Sequence, residues 1–164
     1  MAQLVNLTYM KYQLGEYEAT HSSPIWRDRA NFVFAAHLGV KNGQNEWEQL
    51  WGERVASLRF VLCCIPFFVR DVALGDEVEI DTDFVLQRVV RRSGQVTFRV
   101  WFSEQGNPRR HSIVREIEAM KLYLEWSSAN LLALSVFDGE AKQLADYLQL
   151  LENEGELQYE TGRS

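Results

Sequence analysis

The chain has 164 residues, 46% hydrophobic and 24% charged. That mixture excludes an intrinsically disordered chain and suffices for one domain, or two small fused halves, without disulfide staples. A net charge of −6 argues against non-specific nucleic-acid binding, because such a surface repels phosphates, and it suits a basic protein partner.

The start, Met1-Ala2-Gln3-Leu4, lacks the basic and apolar regions of a signal peptide. Leu4, Leu7, Tyr9 and Tyr12 alternate loosely and predict one or two strands over residues 3–19, bent at Leu14-Gly15. His21-Ser22-Ser23-Pro24 reads as a turn and residues 31–38 (NFVFAAHL) as a strand. Residues 39–45 form the clearest loop, with the Asn42-Gly43 hairpin signal inside it. Trp47, Leu50 and Trp51 have half-helical spacing, so residues 46–54 are expected to be partly helical. Residues 55–65 read as a strand ended by Pro66, and Gly75-Asp76 as a turn. Residues 77–81 (EVEID) alternate strictly, as a half-exposed strand does. Residues 84–90 form another strand, 91–94 a turn, and 95–102 (QVTFRVWF) an alternating strand.

From there the order is β-α-β-β-α-β, the ferredoxin-like arrangement. After the strand at 95–102 and a loop at 103–108, Ile113, Val114, Ile117 and Met120 form a helical stripe over 109–120. Residues 121–126 and 131–136 read as strands around a turn at 127–130. Asp138 is placed to cap a helix with Ala141, Leu144, Ala145, Leu148 and Leu151 on one face, and Gly155 to end it. Residues 156–160 close the sheet. The expected class is therefore α+β: a β-rich half over residues 1–92, as a small barrel or extended antiparallel sheet, then a ferredoxin-like half over 93–164, the two forming one compact unit. The longest apolar runs, 60–65 and 131–134, fall far short of the ~20 residues of a membrane span, and a cytoplasmic protein is expected.

Motifs that carry chemistry are missing. The sequence holds no phosphate-binding glycine loop, dinucleotide fingerprint or nucleophile elbow. His21, His37 and His111 lack metal-ligand spacing. His37 reads as a strand residue, and His111, beside Arg109 and Arg110, as a weak anion contact. Adjacent Cys63 and Cys64 read as reduced, buried, inert thiols, and spacing gives neither a histidine partner. No enzyme activity, metal or cofactor is expected.

Charge patterning is more informative. Glu77, Glu79, Asp81 and Asp83 line one side of their strand, as a solvated edge or a contact for a basic partner. Arg88, Arg91, Arg92, Arg99, Arg109, Arg110 and Arg115 concentrate positive charge mid-chain. Pairing with local acids is favoured over a nucleic-acid surface, because the RNA-binding signature that ferredoxin-like sheets can carry is absent. Asp138, Glu140, Asp146, Glu152, Glu154, Glu156 and Glu160 face Lys142 alone, so most of the net charge resides in the last helix and strand.

Trp51, Ile65-Pro66-Phe67-Phe68, Val72-Ala73-Leu74-Gly75-Asp76, Val78 and the closing Gly155-Glu156-Leu157-Gln158-Tyr159-Glu160 are similar to the bacterial domain-of-unknown-function family four-two-six-five. The resemblance covers roughly residues 30–160. It departs at Cys63-Cys64 and at the Arg-rich stretch 103–110. These motifs are structural, and the resemblance implies no reaction. Small acidic proteins of this kind recur beside toxin genes as immunity proteins, an associational argument. The expected role is an immunity protein that blocks a cognate toxin, a basic nuclease domain, through Asp138, Glu140, Asp146, Glu152 and Glu154 or through Glu77 to Asp83. The alternative is a small-molecule or nucleotide-binding regulatory domain using the arginine-rich centre.

Overall fold

The computed structural model describes residues 17–103 and 106–162. The first half is a single curled sheet built from β1 (Tyr17–Ala19), β2 (Phe32–Lys41), β3 (Gln44–Ala56), β4 (Arg59–Leu62), β5 (Glu77–Ile80) and β6 (Leu86–Arg91). From β2 to β6 each strand pairs antiparallel with the next. Ala35 of β2 also bridges to Val85, and its N–H donates to the Phe84 carbonyl at 3.0 Å. That contact brings β2 beside β6 and curls the sheet into a small barrel. Its interior is Phe34, Leu50, Phe60, Leu62, Val78 and Ile80. β1 runs parallel to β3, at Trp47 and Glu48. The strands expected over residues 3–16 lie outside the described residues.

Asn42 and Gly43 have φ of 52° and 76°, the left-handed pair that matches a two-residue hairpin to strand twist. The expected loop over 39–45 shrinks to those two residues, because β2 continues through Lys41 and β3 starts at Gln44. The half-helical reading of 46–54 is overturned: the segment is the centre of β3. Glu48, Gln49 and Leu50 are all buried, so both faces of β3 are covered there and the period-two signature is erased. The strand expected over 55–65 is broken by a turn at Leu58 (φ 52°).

Gly52 is required by close approach. A Cβ there would lie 2.8 Å from Phe34 Cε1 and 3.0 Å from Phe60 Cβ. Both rings are fully buried and have no room to retreat. Gly52→Ala is expected to destabilise by about 1–3 kcal/mol, the range for core overpacking, in chemical denaturation. No change in midpoint would show that the barrel core is looser than these distances say.

The second half matches the ferredoxin-like expectation. β7 (Gln95–Phe102), α1 (Arg110–Ala119), β8 (Tyr123–Trp126), β9 (Leu131–Phe137), α2 (Asp138–Asn153) and β10 (Leu157–Thr161) give the antiparallel order β10-β7-β9-β8. Ile113 and Ile117 of α1 and Leu144, Leu148 and Leu151 of α2 pack on Val96, Phe98, Val100, Leu132 and Leu134 of the sheet. Gly155, at φ 75°, follows α2. Asp138 does not cap α2. Phe137 holds that position without a side-chain cap, and Asp138 and Glu140 occupy the first turn, where negative charge suits the helix dipole.

The sheet's other face meets the first half. Ala133 of β9 packs with Ala19, Ile65, Phe67 and Leu74. β7 is therefore covered on both sides. Its alternating sequence places Gln95, Thr97 and Arg99 in a buried seam rather than in solvent.

Candidate functional site

The seam between the halves holds a buried ionic centre. β1 delivers the chain to His21. The following segment is pinned by Trp26 N–H donating to the Cys63 carbonyl at 3.0 Å. His21 Nδ1 lies 2.9 Å from Glu125 Oε1 of β8, and Nε2 lies 3.1 Å from Glu48 Oε1 of β3. The imidazole stacks on Phe67 at a 4.1 Å centroid distance. Glu48 Oε1 also accepts the N–H of Phe67 at 2.6 Å, and its Oε2 accepts those of Phe68 and Val69 at 2.9 and 2.7 Å. Glu125 Oε2 accepts the N–H of Ile65. Two carboxylates thus organise the irregular segment after β4. Arg99 of β7, fully buried, donates to the Val69 carbonyl at 2.6 Å and reaches Glu160 at 3.4 Å. Glu160 then pairs with exposed Arg70.

Burial alone would lower the His21 pKa. Hydrogen bonds from the ring to Cys64, Glu125 and Glu48 oppose that, and the pKa is held well above its ordinary value near 6.5. Burial raises the Cys64 pKa, so Cys64 is a neutral thiol at neutral pH and the charge on His21 is balanced by the carboxylates. Cys63 is buried too, its thiol pushed up to about 12. The Cys64–His21 proximity, for which spacing gave no reason, therefore exists in space, but without a thiolate or an exposed face. The centre joins β1, β3, β7 and β8 and meets no solvent. Among the described residues no group of His, Cys, Asp and Glu is arranged to hold a metal ion.

The other imidazoles lie on the surface. His37 is exposed, bonded to Asn45 and packed against Trp47. His111 lines a shallow cleft with Arg110, Val114 and Trp126.

The acidic candidates divide. On β5, Glu77 pairs with Arg91 at 3.0 Å and Glu79 with Arg88 at 3.1 Å, across registered neighbours. Asp81 accepts the N–H groups of Asp83 and Val85 and organises the turn before β6. On α2, Asp138, Glu140, Asp146 and Glu154 are exposed. Asp146 pairs with Lys142, and Glu154 with Arg109. Glu152 is half-buried and accepts the Tyr159 N–H. The mid-chain arginines are largely committed to acids, Arg92 to Asp76 and Arg109 to Glu154 and Glu156 included.

The α2 side also holds a cleft of about 460 Å³ between the end of α1, β8, β9 and the first turns of α2. Its rim has Met120, Tyr123 and Phe137, 43%, 39% and 58% exposed, three of the six large hydrophobics that face solvent among the described residues. Glu140, Gln143 and Lys121 complete the rim. In the floor the Ser135 hydroxyl donates to Gln95 Oε1 at 2.6 Å. The sequence pattern places Met120 in the apolar stripe of α1 and gives Phe137 and Tyr123 no role.

A barrel fused to a ferredoxin-like sheet through a buried ionic seam defines an α+β class of protein with two antiparallel sheets. The family model for the domain of unknown function DUF4265 matches residues 48–159, and the chain belongs to that family. The match begins at Glu48 within β3 and runs through β4 to β6 and the second half as far as Tyr159 in β10. A crystal structure of a hypothetical protein from Neisseria gonorrhoeae is similar, with a TM-score of 0.67 and 18% identity, covering 80% of this chain and 93% of that one. At that identity the likeness concerns the fold. No curated protein matches. Among the described residues no helix is long and apolar enough to cross a membrane.

Proposed function

We propose that the chain is a non-enzymatic binding protein of the immunity type, acting in the cytoplasm of a bacterium to occlude a basic toxin domain. The supporting observation is the exposed face of α2. Asp138, Glu140, Asp146 and Glu154 project there against Lys142 and the Arg109 that pairs with Glu154. The β5 acids have arginine neighbours of their own and contribute less field. Acids on α2 would steer a basic partner and pair with its substrate-binding Lys and Arg, while exposed apolar side chains supply the contact area.

The test is purification of the tagged chain from its native cells at low and high salt. A basic protein is expected in stoichiometric amount, released by high salt and not retained by the variant D138N/E140Q/D146N/E154Q. Co-expression should then rescue cells that make that protein. Equal retention by the variant would refute the electrostatic reading, and absence of any stoichiometric companion would refute the binding role. One observation favours the regulatory reading: Arg70, Arg88 and Arg92 line a cleft of about 290 Å³ with His37. Each already has an acidic partner, and a thermal-shift screen against nucleotides separates the two readings.

A further inference from the structure

We infer that the cleft between Tyr123, Phe137 and Glu140 is the anchor site for a basic side chain of the partner, an inference that rests on the binding role proposed above. Its volume, about 460 Å³, falls within the range of ligand pockets, ~300–1,000 Å³. Its walls are the feature that distinguishes it. Lone exposed hydrophobics are ordinary on a protein surface, but several gathered round one depression, rimmed by polar groups, mark an interaction site. Met120, Tyr123 and Phe137 are so gathered, and each comes from a different element end: the C-cap of α1, the start of β8 and the end of β9.

These positions are held from behind. Tyr123 meets Trp26 edge-on at 5.9 Å. Phe137 is fixed as the N-cap of α2, with the next N–H donating to the Gly94 carbonyl at 2.8 Å. The apolar rim is therefore preorganised, which lowers the entropy lost on binding.

Charge selects the occupant. Glu140 is the acid in the lining and Lys121 the opposing cation; exposed Glu118 precedes Met120 by two residues and adds negative charge beside the rim, while Asp138 projects from the other side of the helix. An arginine or lysine has the matching form, an apolar stem with a charged head. The stem lies against Tyr123, Met120 and Phe137. The head meets Glu140, and Gln95 and Ser135 in the floor offer further hydrogen bonds. A guanidinium also gains from the aromatic faces.

The probe is the tripeptide acetyl-Arg-Leu-Arg-amide, titrated into the full chain and followed by amide NMR, with acetyl-Glu-Leu-Glu-amide in parallel. The basic peptide is expected to shift Tyr123, Ser135, Phe137 and Glu140. F137A/E140Q should weaken it roughly tenfold while leaving the thermal midpoint nearly unchanged, both positions being exposed. Lys121→Glu should tighten it. Shifts confined to Asp146 and Glu154 would overturn the cleft assignment and leave the binding role standing. Shifts in the cleft from the acidic peptide, or weaker basic-peptide binding by K121E, would reverse the sign and overturn the assignment too. No shift from the basic peptide anywhere would count against both the cleft and the electrostatic role.

Discussion

Glu48→Ala is expected to destabilise the fold by about 3–5 kcal/mol, the range for removing one partner of a buried ion pair, which lowers the melting temperature by roughly 10 °C for a chain of this size. Three consecutive N–H groups, of Phe67, Phe68 and Val69, lose their acceptor together. Of its two carboxylates His21 keeps only Glu125, and fully buried Arg99, whose charge Glu48 helps to balance through space, is left with its direct partner Glu160. The magnitude comes from these orphaned groups rather than from the net strength of the pair, since burying the charges is itself costly. Glu48→Gln should fall between the parent and Ala: its one oxygen still accepts from the loop, but its amide places donors where the second oxygen accepted. Glu53→Ala, a change at a half-buried surface residue whose partner Arg29 is itself half in solvent, is the control and should lose well under 1 kcal/mol. A loss at Glu48 no larger than at Glu53 would mean that the seam contributes nothing to stability.

The ferredoxin-like half was legible because its signals are local. Ile113 and Ile117, and Leu144, Leu148 and Leu151, mark one helix face each, and Gly155 ends α2 by its positive φ. The barrel was less legible at β3, where successive partners cover both edges and both faces. Burial of Glu48, Gln49 and Leu50 in a row removes the alternation by which a strand is read, and the spacing of Trp47, Leu50 and Trp51 then imitates a helix. The ionic centre was invisible for a different reason. His21 lies 27 residues from Glu48 and 104 from Glu125, and no local pattern encodes contacts of that range. One signal was present: a charged residue amid apolar neighbours in a strand, as in Phe98-Arg99-Val100 and Leu124-Glu125-Trp126. Such a residue reads as the polar side of an alternating strand until the barrel is known to cover that side. The cleft was hidden because Phe137 and Tyr123 become a surface only when β8 and β9 pair.

The seam and the cleft are joined through β8. Glu125 points into the ionic centre while Tyr123, two residues earlier on the same strand, lines the cleft. Residues two apart on a strand share a face, so the strand that the buried charges fix also sets the position of one aromatic wall. A variant that loosens the seam is therefore expected to weaken binding at the cleft before it unfolds the chain.

Raising the pH above about 6.5 should lower stability by up to about 1.4 kcal/mol per pH unit, the slope for release of one proton on unfolding. The sign follows from His21. In the unfolded chain its pKa is near the ordinary 6.5, while in the fold it is raised by the surrounding groups against the effect of burial. Below pH 6.5 both states bind the proton and the full contribution is present. Above it the unfolded state has lost the proton and the folded state keeps it, so stability declines until the pH passes the folded value, where the slope ends. The facing groups are Glu48, Glu125 and Cys64, and Cys64 enters as a neutral thiol because burial raises its own pKa. Cys63, pushed up to about 12 in the fold, and Cys64, also raised by burial, add to the decline only above about 8.5, where unfolded thiols ionise, so the His21 contribution is read between about pH 6.5 and 8.5. His21→Gln removes the titrating group while retaining a hydrogen-bonding side chain. It should be less stable at pH 6.5 and should flatten the decline, so that the denaturation midpoints of variant and parent converge as the pH rises. Parallel pH profiles for the two would show that His21 is not protonated in the folded state and that the seam binds a neutral imidazole.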